Sequence, residues 1–355
     1  MASSNLILFA RYPALASALP RVPLVNSPSP VRRLNRLSTA LNGDIYIKDD
    51  RVTAHPYGGN KPRKLEFLLA DAQTRGARSI VTTGGIGSNH CLATTIYSQG
   101  IAAKPHLILF PQPVTPHVRM SLRLYMKHGA TVHPGGDYSG LESLRDQLMK
   151  ELDHPYFIPA GGSNAIGAIG FVNAALELVA QIDEGEVPEP AAVFIAAGTC
   201  GSLAGLLLGF ELAGRAIPVF GVQVVDPVVT NPDTVRRLMR ETRMLLHEAD
   251  ASIAPEGTGN DSIRLLTTFF GDGYGHPTRP AETARRLMRT REGIDLESTY
   301  TAKTLAALAQ YVRTGFGPGP VLFWNTFAGP VLENEASAEY DALIPGPIRE
   351  LLARS

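Results

Sequence analysis

Three short runs in this chain carry residues whose types and spacing could do chemistry, and the first is Gly58-Gly59-Asn60-Lys61-Pro62-Arg63-Lys64. A lysine that reacts as an amine must shed its proton. A second cation nearby lowers its pKa and also offers charge to an anion. Lys61, Arg63 and Lys64 supply that crowding, and the glycine pair in front of them lets backbone approach a ligand closely. A solvated helix start would show the same cluster, but only seven of the 33 basic residues are lysines, so two of them this close are uncommon here.

The second run is TTGGIGSNH, residues 82–90. Glycines at a strand end followed by Ser88 or Asn89 as a helix cap leave N–H groups and a hydroxyl free for an anion such as a substrate carboxylate. A plain capped turn fits equally. The third is AAGTCGSLAG, residues 196–205, a Gly-x-x-Gly-x-x-x-Gly turn between an apolar strand and an apolar helix. Backbone amides at such a helix mouth can enclose a phosphate. It is neither a Walker loop nor the dinucleotide fingerprint, and no ribose-binding acid follows at the expected distance. Cys200 within it reads as a small packing residue. Tyr274, Tyr300-Thr301 and Asn325-Thr326 are further polar positions that gain meaning only in company. The histidines lack metal-ligand spacing, and no serine-hydrolase elbow is present, so metal and acyl-transfer chemistry are disfavoured.

These runs need elements to position them. Short apolar or β-branched segments alternate with longer amphipathic ones, the βαβ rhythm of a mostly parallel sheet. Strands are expected near 45–48, 79–83, 106–110, 130–133, 156–158, 192–197, 218–224 and 320–324. Leu65, Leu68, Leu69 and Ala72 form one buried helical stripe, and Pro62 suits the first helical position, which leaves Lys61 on a loop at the helix mouth. Residues 225–292, with their prolines and the runs GTGNDS and GDGYGHP, read as irregular loops of the kind that line sites. A chain of 355 residues with 44% hydrophobic residues can bury the cores of about two domains. Basic and acidic residues are equal at 33, so nucleic acid and anionic membranes are not expected partners. Two cysteines point to a reducing compartment, and prolines interrupt the apolar start too early for a membrane span.

Taken in order, GGNKPRKLEF, TTGGIGSNH, IPAGGSNAIGAIGFVNAALEL (158–178), the 198–205 turn and the Tyr/Thr pair resemble the D-cysteine desulfhydrase and 1-aminocyclopropane-1-carboxylate (ACC) deaminase family of pyridoxal-phosphate (PLP) enzymes. The leading ARYPALASALPRVPL resembles that family's native start, so no transit peptide is expected. The resemblance implies an α/β, tryptophan-synthase-β-like (fold type II) architecture of two αβ domains with mostly parallel twisted sheets. Residues 1–64 and 170–355 would form the large PLP-binding domain and 65–169 a small inserted one, with the cofactor between them. It also implies a cytoplasmic homodimer acting on a small amino acid.

Carried over by position, the resemblance makes Lys61 the Schiff-base lysine and the base at the substrate α-carbon, with Lys64 helping to hold the phosphate. Thr199, Cys200, Gly201 and Ser202 would enclose that phosphate, and Asn89 would bond the cofactor's 3′-oxygen. Ser88, with Asn89, His90 and Ser163 around it, would meet the substrate, and Tyr274 and Tyr300 would stand over it. Thr326 would face the pyridine nitrogen, and a neutral partner there favours prompt loss of a β-leaving group. ACC ring-opening enzymes would carry Glu at 301 and Leu at 326; both are Thr here, which together with His90 leans toward elimination from D-cysteine over ring opening or action on cysteate or serine. STYTAK departs from the family's usual Asp-Pro-Val-Tyr-Thr-Gly-Lys, and Phe327-Ala328 replaces a common glycine pair, which puts the pocket's substrate preference in question.

Overall fold

The computed structural model describes residues 6–136, 138–257, 263–315 and 319–354. Among these described residues ten strands form two sheets: β1 (Val31–Arg33), β2 (Ile45–Asp49), β3 (Ser79–Gly85), β4 (Lys104–Phe110), β5 (Thr131–Pro134), β6 (Pro155–Ile158), β7 (Ala192–Ala197), β8 (Val219–Gln223), β9 (Arg264–Leu266) and β10 (Val321–Asn325). One sheet has the order β5-β4-β3-β6 and is parallel throughout. The other runs β1-β2-β10-β7-β8-β9, antiparallel only between β1 and β2.

Both sheets are covered on both faces, as parallel sheets must be. In the four-stranded sheet Ile80, Leu107 and Leu109 join the helices at 61–74, 89–98 and 116–127, while Val81 and Ile108 meet Leu148 of the 138–151 helix. In the six-stranded sheet Ile47, Phe194 and Phe323 face the helices at 279–292 and 301–313, while Val193, Ile195 and Trp324 face those at 165–183 and 201–212. The alternation is the period of two that a pleated strand imposes. The last segment, with Leu332, Ile344 and Ile348, packs into the core beneath the four-stranded sheet, and Arg123 pairs there with Asp341 at 2.7 Å.

All eight expected strands are present. The two extra ones, β1 and β9, are three-residue edge strands, too short to show a period. Residues 225–292 are more regular than expected, holding helices Pro232–Ala249 and Arg279–Glu292. Their prolines stand in the first turn, behind Asn231 and Thr278, whose side chains accept N–H bonds from Thr234 and Ala281 at 2.8 and 3.3 Å. Of GTGNDS, only Gly257 lies within the described residues.

Helix Lys61–Thr74 begins at Lys61 itself, with Asn60 as N-cap and Pro62 at the second position; the first-turn N–H groups have no intrahelical acceptor, so proline costs nothing there. Leu65, Leu68, Leu69 and Ala72 are fully buried, as their spacing predicts. Gly58 and Gly59 are needed for chain packing and not for a ligand. A Cβ at Gly58 would stand 1.9 Å from Arg51 O, and Gly59, at φ +82°, would bring one within 2.8 Å of Thr326 O. The pair therefore seats the Lys61 helix against the end of β10. Helix Ala165–Asp183 is long and apolar enough to cross a membrane, but most of it is buried between the 61–74 and 201–212 helices. Its Gly170 lies against the 61–74 helix, where a Cβ would fall 1.9 Å from Arg63 O.

Candidate active site

A cavity of about 220 Å³ opens between the two sheets, at the carboxyl ends of β3, β4, β7 and β10. Parallel sheets place ligands at this end because helix N-termini converge there. Lys61, Lys64, Ser88, Asn89, His90, Thr199, Cys200, Gly201, Ser202, Tyr274, Tyr300 and Thr326 all line it. Ser163 lies just behind, bonded to Lys64 and Thr199.

Lys61 and Lys64 stand three apart on one helix face. Burial lowers the Lys61 amine to about 8, while Cys91 and Glu297 oppose the fall. Burial also lowers Lys64 well below the ordinary lysine range, with Lys61 adding to the effect. Cation crowding is thus secondary for Lys64 and is not what lowers Lys61, contrary to the sequence expectation. Arg63 takes no part in the site: it points the other way and pairs with Asp50 and Glu177 at 2.8 and 3.0 Å.

Lys64 Nζ donates to Gly161 O (3.0 Å) and Ser163 Oγ (3.1 Å), and Gly201 N–H donates to the same Ser163 Oγ (3.2 Å). With two donors already on it, the Ser163 hydroxyl sends its own proton to Thr199 Oγ1, 2.7 Å away. The Thr199 proton is then free for an anion. Ser202 Oγ likewise accepts from Asn60 Nδ2 at 3.3 Å and keeps its proton free. Behind them stands the N-terminus of helix Gly201–Leu212, whose positive end favours an anion. Cys200 caps this helix at φ +64°, a strained conformation for a non-glycine residue, while burial pushes its thiol up to about 11, so it is no thiolate. A Cβ on Gly201 would fall 2.6 Å from Ser163 Oγ and 2.8 Å from Lys64 Nζ, filling the hollow. A lowered-pKa lysine beside a cradle that only glycine leaves open fits a phosphorylated aldehyde cofactor.

Opposite lies the 85–90 turn. Ser88 caps helix Asn89–Ser98, its Oγ accepting from Cys91 N at 3.2 Å beside the Cys91 thiol, and it lines the cavity. Tyr125 donates to Ser88 O at 2.9 Å and fixes the turn from below. His90 does not present an open ring edge. Thr82 donates to Ile158 O at 2.7 Å, so the Thr82 oxygen, 2.9 Å from His90 Nε2, accepts from it. Burial lowers the imidazole well below its ordinary value, so it is neutral, and among the described residues its Nδ1 has no partner.

Tyr274 and Tyr300 close the third side, hydroxyls 2.8 Å apart. Burial raises both phenols, so both stay protonated. Thr326 follows β10, its carbonyl accepting from Asn60 N at 3.1 Å. Phe327 forms part of the wall, edge-on to His117 at 5.8 Å.

Sequence reasoning missed Glu297, a buried cavity residue. Its carboxylate accepts from Thr299 N (2.8 Å), Tyr300 N (2.9 Å), Thr301 N (2.6 Å) and Thr301 Oγ1 (3.0 Å), which pins Tyr300. Aligned on the tyrosine, Glu297 stands where the family motif has Asp, so the acid persists with one more methylene. An acid three residues before Tyr300 at a helix start was the available signal. Asn60 and Tyr57 were also missed.

The family described as pyridoxal-phosphate dependent enzyme matches residues 22–326. D-cysteine desulfhydrases of Salmonella typhi and Salmonella newport are 34% identical over 332 residues, covering 88% of this chain and 95% of theirs. A crystal structure of an ACC deaminase homologue superposes with a TM-score of 0.79 at 30% identity, covering 93% of this chain and 98% of the other. A fungal L-serine ammonia-lyase from Rhizomucor miehei, at TM-score 0.58 and 16% identity over 91% of this chain and 100% of its own, shares the fold. The fold is α/β, of the fold type II PLP-enzyme class, and the chain belongs to the D-cysteine desulfhydrase and ACC deaminase family of pyridoxal-phosphate-dependent enzymes.

Proposed function

We propose that this chain catalyses α,β-elimination on a small amino acid, D-cysteine, giving pyruvate, ammonia and hydrogen sulfide. The observation that carries the reading is one cavity holding three groups: an amine near neutrality at Lys61, an anion-ready cap at Ser88, and the protonated Tyr274/Tyr300 pair. Bound PLP supplies the electron sink that makes the α-proton acidic. Lys61 would be its attachment point, and the Lys61 Nζ, with its pKa lowered by burial, would take that α-proton. Ser88 and the amides behind it hold the carboxylate. A phenol of the tyrosine pair delivers a proton to the departing sulfur, and free aminoacrylate then hydrolyses. Lys64, Thr199, Cys200, Gly201 and Ser202 would hold the phosphate, Asn89 the ring oxygen and Thr326 the ring nitrogen, with His90 toward the substrate; Ser163, expected from the sequence beside the substrate, instead braces Lys64, Thr199 and Gly201 behind the phosphate. The names of the relatives support the substrate, and so does Thr301, which is turned into Glu297 and brings no carboxylate to the ring.

Purified holoprotein incubated with D-cysteine is expected to release sulfide and pyruvate in equal amounts. 2-Oxobutanoate from ACC at a comparable kcat/KM would instead establish ring opening. Gly201→Ala is expected to weaken PLP binding at least about tenfold by equilibrium titration, because its methyl occupies the hollow. Unchanged affinity would place the phosphate elsewhere.

We propose further that residues 65–169 form the small inserted domain within a large one of 1–64 and 170–355, and that the enzyme is a cytoplasmic homodimer. The separate four-stranded sheet within 79–158 supports the first point. Light scattering of the purified protein tests the second; a monomeric mass contradicts it.

A further inference from the structure

The carboxamide of Asn89 can serve the site in two orientations, one presenting oxygen and the other presenting NH₂. What selects between them is Tyr57. This tyrosine is 3% exposed, and its phenol lies 3.0 Å from Asn89 Oδ1, the partner it has among the described residues. A buried O–H without an acceptor is costly, so the phenol donates, and only the carbonyl end of the amide can receive it. Tyr57 is itself held: Tyr97 Oη donates to Tyr57 O at 2.5 Å and accepts from Tyr57 N at 3.2 Å. Tyr97 sits on the same helix as Asn89, so Asn89, Tyr57 and Tyr97 close a loop that ties the segment before the Gly58-Gly59 pair to the 89–98 helix. Burial keeps the Tyr57 phenol protonated, with Glu297 and Tyr97 adding to the effect.

We propose that Tyr57 is a positioning residue that fixes the Asn89 carboxamide with its NH₂ turned into the cavity, as a donor to the cofactor's ring oxygen. The inference rests on the placement of that oxygen at Asn89 given above. A donor there stabilises the anionic ring oxygen, which otherwise holds the proton on the lysine linkage. Losing the orientation therefore makes the linkage harder to deprotonate.

The test is a spectroscopic pH titration of the holoenzyme, following the visible band of the lysine-bound cofactor, for the wild type, Tyr57→Phe, Asn89→Ala and the double variant. Tyr57→Phe removes one oxygen and keeps the ring, so the packing stays. The titratable groups around the site, Lys61, Lys64, His90, Cys91, Tyr97, Cys200, Tyr274, Glu297 and Tyr300, are all retained in it. Tyr57→Phe is expected to raise the midpoint by about half to one pH unit, the size of one neutral hydrogen bond. Asn89→Ala should move it in the same direction at least as far, and the double variant no further than Asn89→Ala. If Asn89→Ala shifts the midpoint and Tyr57→Phe does not, the role of Tyr57 is overturned while that of Asn89 stands. If neither shifts it, the Asn89 assignment falls and the inference with it. Additive shifts would mean that Tyr57 acts by another route, and a lowered unfolding temperature with an unmoved midpoint would make its role structural only.

Discussion

Lys61→Ala is expected to lose turnover by about 10³-fold or more and to lose the covalently held chromophore, while the apoprotein folds as before. Both halves follow from the same geometry. Lys61 lines an open cavity, so removing its side chain deletes no packed core atoms. Its amine is held near 8 by burial, against an ordinary 10.5, so the folded state disfavours the charged form. Between pH 8 and 10.5 the unfolded chain binds more protons than the folded one, so stability rises with pH across that window, and the penalty is present in full below pH 8. The apo variant should therefore be at least as stable as apo wild type at pH 7, with any advantage fading between about pH 8 and 10.5 and gone above that window. Thermal unfolding of the two apoproteins from pH 7 to 11 checks this. A variant markedly less stable than wild type at pH 7 would show that Lys61 does structural work the geometry does not assign to it.

Glu177→Ala should give the largest loss of stability, about 3–5 kcal/mol by denaturant titration, because it breaks a wholly buried charge network. The Glu177 carboxylate accepts from Lys48 Nζ at 2.5 Å, Arg63 Nη1 at 3.0 Å, Ser27 Oγ at 2.6 Å and Ser29 N at 2.6 Å. Asp50 completes the network, accepting from Arg63 at 2.8 Å and from Trp324 Nε1 at 2.8 Å. Two cations here balance two anions, and removing Glu177 leaves Lys48 and Arg63 sharing Asp50. Burial pushes the Glu177 carboxyl up, but Arg63 and Lys48 together outweigh it and hold the group well below the usual range, so its contribution is complete at neutral pH and fades only in acid. The network ties β2, the Lys61 helix and the end of β10 together, so cofactor affinity should fall along with stability. A loss under about 1 kcal/mol would mean that the pocket relaxes or admits water around the two cations.

The sequence showed a feature wherever its cause is local. AVFIAA is a strand at its expected residues because an apolar run of that length between turns has few alternatives, and the Leu65 stripe is buried because helical spacing fixes one face. Ser88 caps its helix for the same local reason. What escaped depends on partners that folding brings from far away. Arg63 reads as one of three crowded cations until Glu177, 114 residues on, draws it to the opposite face. The glycine pair reads as room for a ligand until Arg51 and Thr326 fill that room. Glu297 and Tyr57 look ordinary because their bonds to Tyr300 and Asn89 exist only in the folded chain. The 232–249 helix was hidden because Pro232 reads as a breaker unless Asn231 is recognised as its cap.

Every residue role proposed for the cavity depends on PLP being held on Lys61 between the two sheets. Borohydride reduction of the purified holoprotein, followed by peptide mass mapping, tests it most directly. One pyridoxyl phosphate adduct is expected, on the peptide carrying Lys61 and on that residue, with Lys64 unmodified. An adduct on Lys64 or any other lysine, or a colourless protein that gives none after incubation with PLP, would contradict it.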